Sequence, residues 1–312
     1  MVEISVYSPE MHNQWNEFVA NAKNSTFMHL REYMDYHQQR FYDFSLMAHS
    51  RNKLIGILPA NRVGDTLYSH QGLTFGGWLM PLKHFDIIDM LEVFDKMAEF
   101  LESSGIKHLY YKPSPHIYHS YPAEEDLYAI FRHNGVLVVS NISATINIEN
   151  QLRFNENSRR NIKLATNSGI YVEETTDFKP FWDILTHILN SKYDKNPVHS
   201  LDEIKLLHAS FPSNIRLFVA KDREETLGGV LIYDTGIVAH AQYIGANEEG
   251  REKGALPLIF HKLISEIFMS RKYFDFGISN ENNGLYLNEG LSRQKTGMGA
   301  RGITYNTYRL DF

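Results

Sequence analysis

A polar stretch near the carboxyl end of the chain carries the residues best suited to chemistry. Asn283, Tyr286 and Gly290 come first, and Lys295 follows shortly after them. A phenol hydroxyl can give a proton to a developing anion, so Tyr286 is a candidate general acid. A lysine ammonium can stabilise charge on a carbonyl oxygen or a phosphate, which makes Lys295 a second candidate. The alternatives are a core tyrosine and a solvated loop lysine.

A second group lies just before an apolar segment whose spacing predicts a helix over residues 256–269. Arg251, Gly254 and Ala255 precede this helix. Backbone N–H groups at a helix start, together with an arginine, can bind the phosphate of a donor molecule. The alternative is a polar turn that does no more than begin the helix.

The predicted strand over residues 237–244 carries further polar side chains. Alternation along a strand places His240 and Gln242 on one face and Tyr243 on the other. We expect Gln242 to orient an acceptor amine. Backbone N–H groups around Tyr243 and Ile244 are expected to polarise the carbonyl of the donor.

Two further groups are candidate substrate contacts. His70 and Gln71 lie in a glycine-rich segment, where missing side chains allow a ligand to approach the backbone. Arg159 and Arg160 lie on a predicted basic helix over residues 155–165, and arginine suits bidentate phosphate contacts. The alternatives are a β-bulge with a satisfied polar pair for the first group and a solvated helix face for the second.

Composition excludes several classes of chemistry. The chain has no cysteine, which rules out disulfides, thiolate nucleophiles and Cys-ligated metals. The histidines are scattered without a metal-binding spacing, so no metal site is predicted. No Gly-x-Ser-x-Gly elbow and no Walker loop occurs, so hydrolase and kinase activities lack support. Direct transfer without a covalent intermediate is therefore expected.

Charge and hydropathy place limits on the partners and the location. The formal net charge of −6 argues against a duplex-DNA binder, which would carry a broad basic face. No secretory signal and no apolar run long enough to cross a bilayer is present. We expect a cytoplasmic protein with no integral membrane span, and the oligomeric state stays open.

The order of predicted elements repeats along the 312 residues. Each half reads as hairpin, strand, long helix, strand, short helix and closing strand, which indicates an internal duplication. In the second half the short helix is expected to pass through Tyr286 and to end at Gly290. We predict an α/β fold of the α+β type with mixed sheets, with one domain over residues 1–150 and another over residues 151–312. A helical connector opens the second domain, and the absence of a low-complexity linker predicts that the halves pack together.

This order resembles the GNAT acyltransferase fold. Its tandem form with a helical connector resembles the Fem family of peptidoglycan-bridge aminoacyltransferases and related bacterial proteins. Asn283, Tyr286 and Gly290 stand in the order of the GNAT motif, whose tyrosine protonates a leaving thiolate. Lys295 stands where Fem-like proteins carry a lysine, although the flanking aromatics are missing. The helix with Arg159 resembles the arginine-rich helix that opens the second Fem domain.

The resemblance implies an acyltransferase that uses an acyl-CoA donor, acetyl-CoA in the first place, and an amine acceptor in a ternary complex. Arg251 and Gly254 fit the CoA-phosphate motif of the GNAT family, but Leu256 stands where a small residue is expected. One alternative is therefore a Fem-like transferase that takes aminoacyl-tRNA as donor and acts on a peptidoglycan precursor. A second alternative is a catalytically inactive, ligand-binding GNAT relative.

Overall fold

A computed structural model describes the backbone of residues 1–312 and every side chain except those of His37, Lys192 and Tyr193. The chain divides into two units. The first consists of residues 1–141, 282–284 and 304–312, and the second of residues 142–281 and 285–303.

The chain begins with the elements of the first unit. They are β1 (Val2–Val6), α1 (His12–Asn21), α2 (Arg31–Met34), β2 (Leu46–Ser50), β3 (Lys53–Leu58), β4 (Asn61–Val63), β5 (Thr66–Tyr68), α3 (Ile87–Ser103), β6 (His108–Tyr111) and α4 (Glu125–Arg132). Short 3-10 turns lie at Pro9–Met11, Phe27–His29, Asp35–His37 and His116–Tyr118. Strand β7 (Val136–Asn147) carries the chain into the second unit.

The elements that follow complete the chain. They are α5 (Glu156–Asn167), β8 (Tyr171–Thr175), α6 (Lys179–Tyr193), α7 (Leu201–Ser210), β9 (Ile215–Asp222), β10 (Glu225–Asp234), β11 (Val238–Ala246), α8 (Glu248–Glu252), α9 (Ala255–Lys262), β12 (Tyr273–Ile278), β13 (Asn280–Glu281), β14 (Tyr286–Leu287), α10 (Glu289–Gly297) and β15 (Arg301–Asp311). A π-helical turn, Leu263–Ile267, extends α9.

In the first unit, β1, β2 and β3 form an antiparallel sheet, and β4, β5, β6 and β15 are neighbours in a mixed one. Helix α3 is the long helix predicted for the first half of the chain, and the structure confirms it. Asp86 caps the helix by accepting hydrogen bonds from the N–H groups of Ile88 and Asp89. The buried side chains recur on one helix face and pack into the core of this unit: Met90, Val93, Phe94, Met97 and Leu101.

In the second unit the strand order is β7, β12, β11, β10, β9, β8. Strands β11 and β12 are parallel, and the other neighbours run antiparallel, so the predicted mixed sheet is confirmed. One face of this sheet packs against α9 in an apolar core that includes Ala239, Ala241, Phe274 and Phe276. The residues between them point to the opposite face.

The predicted short helix through Tyr286 is wrong. Tyr286 lies in β14, which pairs with β13 through Glu281. Asn282 and Asn283 have φ values of 50° and 52°, and this left-handed backbone forms a tight turn where a helix cannot continue. Gly290 does not end a helix either, because it lies in the first turn of α10.

Among the described residues, no helix combines the length and the apolar content needed to cross a bilayer.

Candidate active site

A fork in the sheet of the second unit positions the candidate site. Strands β11 and β12 pair in parallel at three positions, and the last of these joins His240 to Asp275. Beyond that point β11 continues along β10 as far as Ala246, whereas β12 continues along β7. Because the two strands part at their carboxyl ends, the side chains at the fork can meet a ligand that enters between the strands.

A buried carboxylate lies at the base of the fork. Asp275 is fully buried, and it stands between two core phenylalanines on β12 but faces the other way. Its Oδ1 accepts hydrogen bonds from Ser143 Oγ at 2.5 Å and from Thr145 Oγ1 at 2.9 Å. The N–H of Gly277 also points to Oδ1, at 3.3 Å. A buried carboxylate is costly unless donors surround it, and β7 supplies two of them by alternation across the sheet.

The second oxygen of Asp275 holds the ring of His240. His240 Nδ1 lies 2.8 Å from Asp275 Oδ2, and its side chain is 12% exposed. A carboxylate only accepts, so Nδ1 carries the hydrogen of this contact, and in the neutral ring Nε2 is the basic nitrogen. Gly277 has a φ of 75°, and a Cβ there would lie 3.5 Å from His240 Cε1, so the backbone closes against the ring.

Lys295 reaches the same place from α10. Its Nζ donates to the carbonyl oxygens of Gly277 at 2.8 Å and of Ile278 at 2.7 Å. Burial lowers the pKa of Lys295 to about 8, and the charge of Asp275 offsets part of that fall. An ammonium has three donors, so one remains beyond the two carbonyl bonds. The sequence did not predict that Lys295 is buried on a helix, with 3% exposure.

A β-bulge changes which side chains face the site. Tyr243 pairs with Leu231 and Ala241 with Ile232, so Gln242 has no partner in the register. The extra residue reverses the alternation. The prediction that Tyr243 faces away from His240 is therefore wrong, and Tyr243 and His240 lie on the same face of β11.

Tyr243 is bonded to the segment before α7. Its hydroxyl lies 2.6 Å from His199 Nδ1 and accepts from the N–H of His199 at 3.2 Å. Trp182 packs edge-on against the Tyr243 ring and donates to the carbonyl oxygen of His199. Burial raises the pKa of Tyr243 to about 12, so its hydroxyl stays protonated at neutral pH. Ile244 points the other way and packs against the core.

The predicted phosphate contacts are engaged in packing. Gly254 has a φ of 76°, and a Cβ there would lie 2.5 Å from the carbonyl oxygen of Asn161 on α5. Ala255 is fully buried in the core. Arg251 is exposed, and its Nη1 donates to the carbonyl oxygen of Ala246 at 3.0 Å. Part of the segment before the long helix, for which a polar turn was the alternative, is itself a helix, α8, with Glu248 in its first turn.

The remaining residues of the GNAT-like motif lie on the β13–β14 hairpin. Tyr286 is 59% exposed, and Asn283 is an exposed residue of the turn. The contacts that join His240, Asp275 and Lys295 do not include Tyr286.

The predicted substrate contacts of the first unit are satisfied within that unit. Gln71 exchanges two hydrogen bonds with Asn61, at 2.8 and 2.9 Å. His70 is buried with a φ of 64°, and its Nδ1 accepts from the N–H of Gly72 at 3.2 Å. These hydrogen bonds match the alternative interpretation of the segment, in which His70 and Gln71 form hydrogen bonds within the protein.

The two arginines of α5 differ in their surroundings. Arg159 lines an open pocket, whereas Arg160 donates from Nη2 to Asn157 Oδ1 at 3.2 Å. Among the described side chains, no three histidines, aspartates or glutamates come together as metal ligands.

Sequence reasoning named His240 but assigned the chemistry of the strand to Gln242, and it missed Asp275, Ser143 and Thr145. A signal for Asp275 was present, because a carboxylate inside the apolar stretch Tyr273–Ile278 requires buried donors. The partners themselves depend on strand register and could not be read from the sequence.

Comparison with known proteins identifies a family domain and the fold. Residues 153–283 match the model of an acetyltransferase (GNAT) domain. No curated protein sequence matches the chain. FemX shares the fold with a TM-score of 0.69 at 11% identity, and the match covers 99% of this chain and 97% of that one. These findings confirm the predicted Fem-like fold with a GNAT domain in the second unit, and the domain match supports the prediction of an acyltransferase.

Two further structures have the same fold. L-PGS from Bacillus licheniformis has a TM-score of 0.62 at 13% identity, and the match covers 98% of this chain and 93% of that one. A conserved protein of unknown function from Bacteroides thetaiotaomicron has a TM-score of 0.64 at 11% identity, with all of both chains covered.

Proposed function

We propose that the chain transfers an acyl or aminoacyl group from an activated carrier to an amine, by direct attack at the fork between β11 and β12. The observation that carries this proposal is the 2.8 Å contact between His240 Nδ1 and Asp275 Oδ2 at the last paired position of the two strands. A histidine oriented by a buried carboxylate is suited to take a proton from an attacking nucleophile.

The proposed reaction balances without a covalent enzyme intermediate. The amine nitrogen bonds to the donor carbonyl carbon, and its proton passes to His240 Nε2. The bond from that carbon to the oxygen or sulfur of the carrier then breaks. The leaving atom takes a proton from the ammonium of Lys295, and exchange with solvent returns both side chains to their starting states.

Lys295 fits this role better than Tyr286. Its pKa of about 8 lies close to neutral pH, where a general acid is most effective. Its ammonium is held by the backbone of β12 beside Asp275. Tyr286, by contrast, is exposed on its hairpin.

Of the two carriers, the packing around α9 favours aminoacyl-tRNA over acyl-CoA. In the GNAT motif a glycine before the long helix approaches phosphate, but here Gly254 approaches the carbonyl oxygen of Asn161. The adjoining segment forms α8, whose first turn carries Glu248 and Glu249. Glu249 pairs with Lys253, and Glu248 would repel a CoA pyrophosphate bound at the position of the GNAT motif. Acyl-CoA stays the alternative carrier, and a peptidoglycan precursor is the proposed acceptor for the tRNA-dependent reaction.

The test is a transfer assay in which the purified chain receives each carrier in turn. Radiolabelled aminoacyl-tRNA and radiolabelled acetyl-CoA are each combined with a uridine-linked peptidoglycan precursor and with a panel of small amines. Label that appears on an acceptor with aminoacyl-tRNA supports the favoured carrier, and label from acetyl-CoA supports the alternative. If neither carrier gives transfer while thermal shifts show that one of them binds, the chain is a binding relative and the proposal fails.

A further inference from the structure

A pocket of about 430 Å³ lies in the second unit, at the junction of α5, the end of α9 and the segment before α5. Its lining includes Arg153, Phe154, Arg159, Ile162 and His261, and no carboxylate. The volume is in the range of small-molecule sites.

The positive charge of this pocket is uncompensated. Arg153 and Arg159 are exposed, and neither forms an ion pair among the described side chains. The chain as a whole carries a net charge of −6, so a pocket that holds two arginines and no acid differs from the rest of the molecule. Arginines placed in this way suit a phosphate group.

Part of the remaining wall is apolar and aromatic. The Phe154 ring lies edge-on to the His261 ring, with centroids 6.2 Å apart, and Ile162 and the half-exposed Leu152 lie beside them. Gln151 and Ser265 supply polar groups to the same wall. A bare phosphate ion makes no use of such a wall, whereas a nucleobase can pack on it. Phosphate and base together describe a nucleotide.

The pocket wall contacts the helix that carries Lys295. The N–H of Asn155 donates to the carbonyl oxygen of Gly297 at 2.8 Å. A Cβ at Gly299 would lie 2.6 Å from the carbonyl oxygen of Leu152, so the two segments are in close contact there. The pocket therefore adjoins the carboxyl end of α10, close to Lys295 in the last turn of that helix.

We propose that this pocket binds the adenosine-phosphate end of the acyl carrier. The inference rests on the proposed function, because aminoacyl-tRNA ends in an adenosine phosphate and CoA contains one. The pocket thus replaces the phosphate site that α5 covers at Gly254.

The test is equilibrium binding of adenosine 5′-phosphate to the full chain by calorimetry. Adenosine and ribose 5-phosphate serve as controls that lack the phosphate and the base. We expect Arg153→Gln and Arg159→Gln each to weaken binding on the order of tenfold, because each removes a charge-assisted hydrogen bond. Arg160→Gln is the matched control on the same helix, and it leaves the affinity unchanged.

Two further binding measurements identify the carrier. If a cytidine-cytidine-adenosine trinucleotide binds more tightly than adenosine 5′-phosphate, the pocket receives the tRNA end, and if CoA does so, it receives CoA. An affinity that neither Arg153→Gln nor Arg159→Gln changes overturns the proposal, as does ribose 5-phosphate binding as tightly as the nucleotide. Because the assay measures binding alone, His240→Gln leaves it unaffected, and loss of transfer does not imply loss of this site.

Discussion

At the scale of single residues, the candidate site depends on burying charge beside a proton acceptor. Asp275 is fully buried, but four hydrogen-bond donors reach its two oxygens. These bonds stabilise the charged carboxylate, which holds His240 in one orientation. Lys295 is buried nearby against backbone carbonyls. These three residues form one group of contacts. Substituting each of them should therefore change the transfer rate, or its dependence on pH, in a different way.

The pH dependence of transfer tests the role of Lys295. Only the protonated amine can donate, and its pKa is about 8, so the single-turnover rate should fall as pH rises through about 8. Lys295→Arg should lower the rate at neutral pH and abolish this alkaline limb, because guanidinium keeps its proton and does not donate it. Rates measured from neutral to strongly alkaline pH give the answer. An alkaline limb that stays in place in the Lys295→Arg variant means that another group gives the proton.

A second comparison separates the two candidate acids. Lys295→Met should lower the single-turnover rate at neutral pH by about 100-fold, which is typical of losing a general acid. Tyr286→Phe removes one hydroxyl from an exposed side chain and should leave the rate unchanged. A large loss in Tyr286→Phe with a normal unfolding midpoint would return the acid role to the tyrosine.

At the scale of elements, the packing of α5 on α9 depends on Gly254. Gly254→Ala should destabilise the chain by about 2–4 kcal/mol, because it combines left-handed backbone strain with a clash against Asn161. Gly236→Ala is the matched control. Its φ is 85° and nothing lies within 4 Å, so it should cost only about 1 kcal/mol of strain.

Urea unfolding of both glycine variants measures the difference. Equal losses in Gly254→Ala and Gly236→Ala would show that the close approach of α5 contributes nothing. That result would also reopen the start of α9 as a site for donor phosphate.

The elements also show what the sequence could predict. Both long helices, α3 and α9, could be predicted, because helical periodicity is local. The same reasoning placed Tyr286 on a helix, since it could not detect the left-handed turn at Asn282 and Asn283. The bulge at Gln242 was equally hidden, because a bulge depends on pairing with β10 and changes the face of every later residue on β11.

At the scale of the whole molecule, buried histidines make stability depend on pH. Burial lowers the pKa of His29 to about 4, whereas the unfolded value is near 6.5. Between these values the unfolded chain binds the proton and the folded chain does not, so His29 makes stability fall as pH drops from 6.5 towards 4. Asp126 acts in the opposite direction over an overlapping range, because burial raises its pKa to about 7.

A variant isolates the contribution of His29. His29→Gln keeps an acceptor for the N–H of Thr26 but cannot titrate. The free energy of unfolding of the native chain should therefore fall, relative to this variant, by about 1.4 kcal/mol per pH unit between pH 6.5 and 4. Urea titrations at several pH values measure this difference. Parallel pH profiles for the two proteins would mean that folding does not lower the pKa of His29.

The net charge of the chain could be read from the sequence, but the distribution of that charge over the folded surface could not. The net charge of −6 predicts that the surface as a whole is not basic, but it could not reveal a pocket with Arg153 and Arg159 and no acid. That local asymmetry arises because folding brings the segment before α5 against the end of α9.

The central claim is that His240, held by Asp275, accepts the proton of the attacking amine. Its most direct test is the single-turnover transfer rate of His240→Gln beside that of His187→Gln, which changes an exposed histidine on α6. We predict that His240→Gln lowers the rate by about 100-fold or more while the unfolding midpoint stays the same, and that His187→Gln has no effect. A folded His240→Gln variant that transfers at the native rate would contradict the account.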